Sequence, residues 1–107
     1  MLDQPAISPR QRALLIGVLR PFADVIDSVG IFGSRAMGTA RENSDIDLVI
    51  YGPIADKQVD RLWTLFDESN LAVRVDVLAY DHIKHVPMRA HIDRFMRPLF
   101  APGELTK

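Results

Sequence analysis

The chain has 107 residues, of which 48% are hydrophobic and 25% charged. This is the mix of an ordinary globular domain and excludes a disordered, collagen-like or coiled-coil protein. Thirteen basic and fourteen acidic residues give a formal net charge of −1, without the basic excess typical of proteins that bind long nucleic acids. We therefore expect no direct nucleic-acid substrate.

Cellular location is indicated by what the sequence lacks. There are no cysteines, which excludes disulfides and thiolate metal sites and favours the reducing cytoplasm. No apolar run is long enough to span a membrane. The amino terminus has no basic start followed by an apolar stretch, so we expect no secretory signal.

The first half of the chain predicts a helix, a strand and a turn. Ser8 is the expected N-cap and Pro9 the first residue of a helix, which Pro21 ends near position 20. Residues 27–32 read as a short strand. Residues 33–38 form a turn with room for one helical turn.

The second half predicts two strands and two helices. Residues 44–51 and 71–79 read as strands, and residues 82–96 as a weaker helix interrupted by Pro87. Residues 56–69 predict an amphipathic helix that buries Val59, Leu62, Trp63, Leu65 and Phe66.

The order of these elements predicts the fold class. The order α-β-(turn)-β-α-β-α is typical of an α/β (α+β) fold in which a small mixed sheet is backed by helices. No repeat, low-complexity tract or linker divides the chain, so we expect a single domain over residues 1–107.

Two aspartates at the start of the strand 44–51 are the first candidate site. Because side chains alternate along a strand, Asp45 and Asp47 point to one side while the apolar residues between them enter the core. Two neighbouring carboxylates repel unless a cation lies between them. Magnesium prefers such oxygen ligands together with substrate phosphates.

The strand 71–79 repeats this logic. Its valines form an apolar face, so Arg74 and Asp76 point the other way. If the strand lies beside 44–51, Asp76 joins Asp45 and Asp47, and three carboxylates suit two metal ions that clamp an in-line phosphoryl displacement. Arg74 could equally pair with a neighbouring acid.

The turn that precedes these strands could hold phosphate. Gly33 lets the backbone approach an anion, a helix opening at Ser34 would aim N–H groups at it, and Arg35 could add a fork of donors. The stretch is not a P-loop, because no Lys-Ser/Thr follows. A dehalogenase-type phosphatase is disfavoured, because its Asp-x-Asp follows the apolar strand rather than preceding it.

Together these motifs resemble the minimal nucleotidyltransferases of the DNA-polymerase-beta-like superfamily. The resemblance lies in Gly33-Ser34-Arg35-Ala36-x-Gly38, followed by Ser44-Asp45-Ile46-Asp47-Leu48, with Asp76 within Val75-Asp76-Val77 as the third acid. It implies a palm-like sheet, the nucleotidyltransferase fold, a nucleoside triphosphate such as ATP, two Mg²⁺ ions and release of pyrophosphate.

The resemblance also implies a role for each residue. Asp45 and Asp47 would bind both metal ions, and Asp76 would bind one and help to deprotonate the acceptor hydroxyl. Gly33 and Ser34 would hold the triphosphate, and the expected nucleotide-binding set is completed by Arg35 and Ser44.

The family further implies a protein partner. Stand-alone members are typically the antitoxin paired with a HEPN ribonuclease toxin, in a type VII-like pair, and can attach AMP to a toxin tyrosine. We expect no added domain that would choose an acceptor, and therefore expect such a partner; an oligomer formed with this partner stays open. Met37 replaces a second arginine common in this subfamily, which puts one phosphate contact in doubt.

Two functions stay open at this point. The three acids favour an adenylyltransferase. Met37 slightly favours the alternative, an antitoxin that has a weak or inactive site and masks its partner by contact. The carboxyl-terminal stretch is either late core or a docking surface, formed by Phe95, Met96, Leu99 and Phe100 among Arg94 and Arg97.

Overall fold

The computed structural model describes residues 7–41 and 43–106. The prediction that there is no secretory signal concerns the amino terminus. Most of that segment, residues 1–6, lies outside the described residues. None of the described helices combines the length and the apolar character needed to cross a bilayer.

Helix α1, Pro9–Leu19, begins where the sequence predicts. The Ser8 Oγ accepts a hydrogen bond from the Gln11 backbone N–H at 3.1 Å, and the Gln11 side chain accepts one from the Ser8 N–H at 3.0 Å. This capping box satisfies two N–H groups that a helix start otherwise leaves unpaired. The chain continues past Pro21 as a 3-10 helix, Arg20–Val25.

Four strands form one mixed sheet in the order β3-β2-β1-β4. They are β1 (Ser28–Phe32), β2 (Ile46–Tyr51), β3 (Val75–Ala79) and β4 (Arg97–Phe100). The β2–β3 pair is parallel, and β1 is antiparallel to both β2 and β4. The predicted mixed sheet is confirmed, with one strand more than the sequence indicates.

The remaining α-helices are four to twelve residues long. They are α2 (Ser34–Met37), α3 (Asp56–Asp67) and α4 (Val86–Phe95), with 3-10 helices at Tyr80–His82 and Glu104–Thr106. The single helical turn after β1 is therefore confirmed. Pro87 does not interrupt a longer helix but lies in the first turn of α4, where its missing N–H is harmless.

The core lies between one face of the sheet and helices α1 and α3. Every second residue of β1, β2 and β3 is buried there. These residues pack against Leu15 and Leu19 of α1 and against Leu62 and Phe66 of α3. These strand residues are Val29, Ile31, Ile46, Leu48, Ile50, Val75, Val77 and Ala79. By strand alternation, Asp47 and Asp76 lie on the opposite face.

Helix α3 buries less than the sequence predicts. Leu62 and Phe66 are buried, but Val59, Trp63 and Leu65 are only half-buried. The Trp63 indole N–H donates a hydrogen bond to the Val77 carbonyl at 3.0 Å. Trp63 therefore covers the outer border of β3, which has no strand beside it in the sheet order.

Strand β4 corrects the prediction for the carboxyl-terminal stretch. Leu99 and Phe100 are buried, so their place in a docking surface is wrong and the late-core alternative is confirmed. Pro98 pairs with Gly30 of β1, and a proline is tolerated here because β4 is the other edge of the sheet. Phe95 stays exposed at the end of α4.

Candidate active site

Asp47 and Asp76 face each other across the parallel strands β2 and β3. They are direct register partners, and Asp76 is close enough to raise the pKa of Asp47. Burial raises the pKa of Asp47 to about 6, with further contributions from the charges of Asp76 and Asp45 that outweigh the attraction of Arg74. A pair of carboxylates in this state favours a bound cation.

Gly33 places the turn after β1 directly against this pair. Its φ of +73° lies in a region that side chains rarely adopt. A Cβ at this position would also collide with Asp47 Oδ2. Glycine is therefore required at position 33 for two reasons. It permits the positive φ, and it leaves room for the Asp47 carboxylate.

Arg35 and Ser44 hold the loop that carries Asp45. The buried Arg35 guanidinium donates to the Ser44 carbonyl from Nε at 3.2 Å and from Nη2 at 2.8 Å. The Ser44 Oγ accepts from the Arg41 N–H at 2.8 Å. Burial lowers the pKa of Arg35 and the negative charge of Asp45 opposes this shift, so Asp45 lies within electrostatic reach of the guanidinium.

Helix α2 is held in place by a residue that sequence reasoning did not assign to the site. The Arg97 Nε donates to the Ala36 carbonyl at 2.9 Å, which ties β4 to the turn that follows β1. The signal is hidden in the sequence, because Pro98 and the shortness of residues 97–100 argue against a strand there.

Arg74 lies at the outer side of the carboxylates. Its Nε donates to Asp76 Oδ1 at 2.7 Å, which confirms the pairing with a neighbouring acid. Its guanidinium carbon also lies 5.6 Å from the centre of the Trp63 ring. The side chain is 66% exposed, so it holds this position loosely.

The predicted site residues come together in part. Gly33, Asp47 and Asp76 are in contact or directly adjacent, and Asp45 is near enough for its charge to raise the pKa of Asp47. Within residues 7–41 and 43–106, no group of three or more His, Cys, Asp or Glu is arranged to hold a metal ion. The donors fit Mg²⁺ by chemistry, since they are carboxylate oxygens whose mutual repulsion a divalent cation would relieve.

These features define a class. A helix-backed mixed sheet with facing carboxylates beside a Gly-Ser turn is the arrangement of the nucleotidyltransferase fold. Residues 15–99 match the family model of the nucleotidyltransferase domain, and the chain belongs to this family.

Comparisons with known proteins agree with this assignment. The chain is 45% identical over 53 residues to a Haemophilus influenzae protein named "Probable protein adenylyltransferase MntA". The match covers 48% of this chain and 46% of that protein, about half of its length.

Solved structures support the fold. One is a toxin–antitoxin with AMP-PNP, with a TM-score of 0.68 at 21% identity, covering 84% of this chain and 73% of that one. Another is a mutant MntA–HpeT toxin–antitoxin, with a TM-score of 0.67 at 18% identity and the same coverage. At these identities the similarity shows the fold.

Proposed function

We propose that this chain is a Mg²⁺-dependent nucleotidyltransferase that transfers AMP from ATP to a protein hydroxyl. The observation that carries the proposal is the facing pair of Asp47 and Asp76 beside the Gly33 turn, in a member of the nucleotidyltransferase domain family. The similarity to a protein named as an adenylyltransferase supports AMP as the transferred group.

Each carboxylate has a part in the proposed reaction. Asp45 and Asp47 would hold Mg²⁺, two ions in this proposal, and Asp76 would help to hold one of them. When bound, magnesium would supply positive charge that stabilises the charge developing at the α-phosphate. Asp76 also accepts the proton of the acceptor hydroxyl as its oxygen attacks the α-phosphorus.

The turn and its supports bind the nucleotide in this proposal. Gly33 and Ser34 hold the triphosphate and the departing pyrophosphate. Arg35 and Ser44 belong to the nucleotide-binding set, and their mutual hydrogen bonds suit them to fix the loop that presents Asp45.

The proposed acceptor is a tyrosine of a HEPN-type toxin, with this chain as the antitoxin of a type VII-like pair. Support comes from two solved structures of similar fold that are toxin–antitoxin structures, one of them with AMP-PNP. We propose further that residues 1–107 act as one minimal domain in the cytoplasm, assembled with the partner and without a nucleic-acid substrate.

One observation favours a second function. Met37, where the subfamily commonly has arginine, is 51% exposed at the end of α2 and offers no phosphate contact. An antitoxin with a weak or inactive site, which masks its partner by contact, would tolerate this change.

Co-expression with the protein encoded next to it, followed by intact-mass measurement of both chains, separates these functions. Transfer predicts a partner heavier by whole AMP units, and no such gain with an Asp45→Asn, Asp47→Asn variant. An unmodified partner in a tight complex would support masking by contact, and the absence of any complex would contradict both.

A further inference from the structure

A cleft of about 630 Å³ opens beside the candidate site, at the outer border of β3. It lies between the carboxyl-terminal half of α3 and the segment that leads into β3. Its lining combines the apolar or aromatic Trp63, Phe66, Leu71 and Val73 with the polar or charged Thr64, Asp67 and Arg74.

Arg74 connects this cleft to the carboxylates. Its guanidinium lies over the Trp63 ring, with 5.6 Å between its central carbon and the ring centre, while its Nε donates to Asp76 Oδ1 at 2.7 Å. The planar Arg74 guanidinium therefore lies near the Trp63 ring and donates a hydrogen bond to Asp76. A phenol has these same two features, a flat ring and an O–H donor.

The geometry of the proposed reaction also places the acceptor at this cleft. Along the sheet the order is the Gly33 turn on β1, Asp47 on β2 and Asp76 on β3. In an in-line displacement the entering oxygen and the departing pyrophosphate are on opposite sides of the phosphorus. If pyrophosphate leaves on the β1 side, the acceptor oxygen enters from the β3 side, where the cleft opens.

We propose that Trp63 forms the seat of the acceptor's aromatic ring, which Arg74 occupies in the free protein, and that this seat selects tyrosine over aliphatic hydroxyls. The inference rests on the proposed function. The tyrosine takes the place of the exposed Arg74 guanidinium against Trp63, and its hydroxyl replaces the Arg74 donor at Asp76. The phenol oxygen then bonds to the α-phosphorus, the bond from that phosphorus to the pyrophosphate oxygen breaks, and the phenol proton passes to Asp76.

Binding is tested first, with N-acetyl-tyrosinamide as the probe and the protein saturated with Mg²⁺ and AMP-PNP. Trp63 is the single tryptophan, so its fluorescence and its indole N–H resonance report on this cleft alone. We expect N-acetyl-tyrosinamide to shift both, together with the Val73 and Arg74 amide resonances, and N-acetyl-serinamide to leave them unchanged.

Transfer is tested with two variants of Trp63, using the AMP-accepting partner protein. Trp63→Phe and Trp63→Leu both lose the hydrogen bond to Val77, but only Trp63→Phe keeps an aromatic wall. We expect Trp63→Leu to raise the KM for the acceptor at least tenfold over Trp63→Phe, with kcat and the affinity for AMP-PNP alike in the two.

Several results would overturn the inference. Equal KM values for the two variants would remove Trp63 from acceptor selection. Cleft resonances that move with AMP-PNP alone, and no further with the tyrosine probe up to its solubility limit, would assign the cleft to the nucleotide. Failure of wild type to bind AMP-PNP with Mg²⁺ would overturn the proposed function, and this inference with it.

Discussion

The parallel pair of strands β2 and β3 carries a different cluster of side chains at each of its two ends. At one end Asp47 and Asp76 face each other with like charge, and the pKa of Asp47 is raised to about 6. At the other end Tyr51 and Tyr80 stack with ring centres 4.9 Å apart.

The tyrosine end is complementary in charge and shape. The Tyr80 hydroxyl donates to Asp93 Oδ1 at 2.6 Å, and the Arg89 guanidinium lies 4.6 Å from the Tyr80 ring centre. Helix α4 supplies both of these partners and is thereby fastened to the sheet. The contacts of the tyrosine end attach α4 to the rest of the fold, whereas the like charges of the aspartate end oppose folding and suit a bound cation.

The largest expected effect separates the two ends by activity. We expect Asp47→Asn to lower AMP transfer at least about 100-fold, because loss of groups that merely support a metal ligand already costs about 10–100-fold. Transfer of label from α-labelled ATP to the partner measures it.

Asp93→Asn, at the tyrosine end, is the matched control and should keep transfer near the wild-type rate. A fully active Asp47→Asn variant, or an inactive Asp93→Asn variant that is still folded, would contradict the division between the two ends.

A pair of glycines compares the aspartate end with an ordinary helix. Gly33→Ala should lower the free energy of unfolding by about 2 kcal/mol, because alanine is strained at positive φ and its Cβ would displace Asp47. Gly17→Ala in α1 meets no atom within 4 Å and should raise it by about 0.5–1 kcal/mol. Urea unfolding of both variants gives the values, and equal shifts would show that the Gly33 turn is not constrained by Asp47.

The tyrosine end can be weakened without touching the aspartates. Tyr80→Phe removes the hydrogen bond to Asp93 and should cost about 1 kcal/mol of unfolding free energy, since the group is exposed. Label transfer should be unchanged. A variant as stable as wild type would mean that the hydrogen bond contributes nothing to the attachment of α4.

The smallest expected effect is the pH dependence of the metal-free protein. Asp47 has a pKa of about 6 when folded against about 3.9 when unfolded, so the folded state holds the proton more strongly. This contribution to stability is present below about pH 4 and is lost as the pH rises through 6.

Asp47→Asn removes the penalty that deprotonation brings. In EDTA at pH 8 the variant should be more stable than wild type by about 1 kcal/mol, a value reduced from the full shift because Asp47 is half-buried. The gap should close toward pH 4. Chemical unfolding across this range measures it, and a gap that widens at low pH would reverse the assignment of the shift.

The sequence predicts the aspartate end better than the opposite one. Strand alternation places Asp47 and Asp76 opposite the apolar faces of their own strands, so the two share a face once the strands lie side by side. The glycine at position 33 predicts the turn that precedes them. The parallel register that makes them direct partners needs the whole sheet. The tyrosine end depends on contacts between Tyr80 and α4 that no local pattern encodes.

The carboxyl-terminal strand shows why the remainder was missed. Residues 97–100 are too few for a clear alternation, and Pro98 disfavours a strand unless it lies at an edge. Whether a strand is an edge is a property of the sheet order, which local sequence does not contain. The sequence therefore leaves both a core position and a docking surface open for Leu99 and Phe100, and the pairing of β4 with β1 places them in the core.

Trp63 and Pro98 have a joint consequence for how this sheet meets other chains. An unpaired edge strand can pair with a strand of another protein. On the outer edge of β3, however, the Val77 carbonyl already accepts a hydrogen bond from the Trp63 indole. On the outer edge of the sheet at β4, Pro98 has no N–H to donate. Both borders thus resist extension, which protects the protein from edge-to-edge aggregation. We therefore expect a partner to contact this protein through helices, loops or inserted side chains rather than by adding a strand to the sheet.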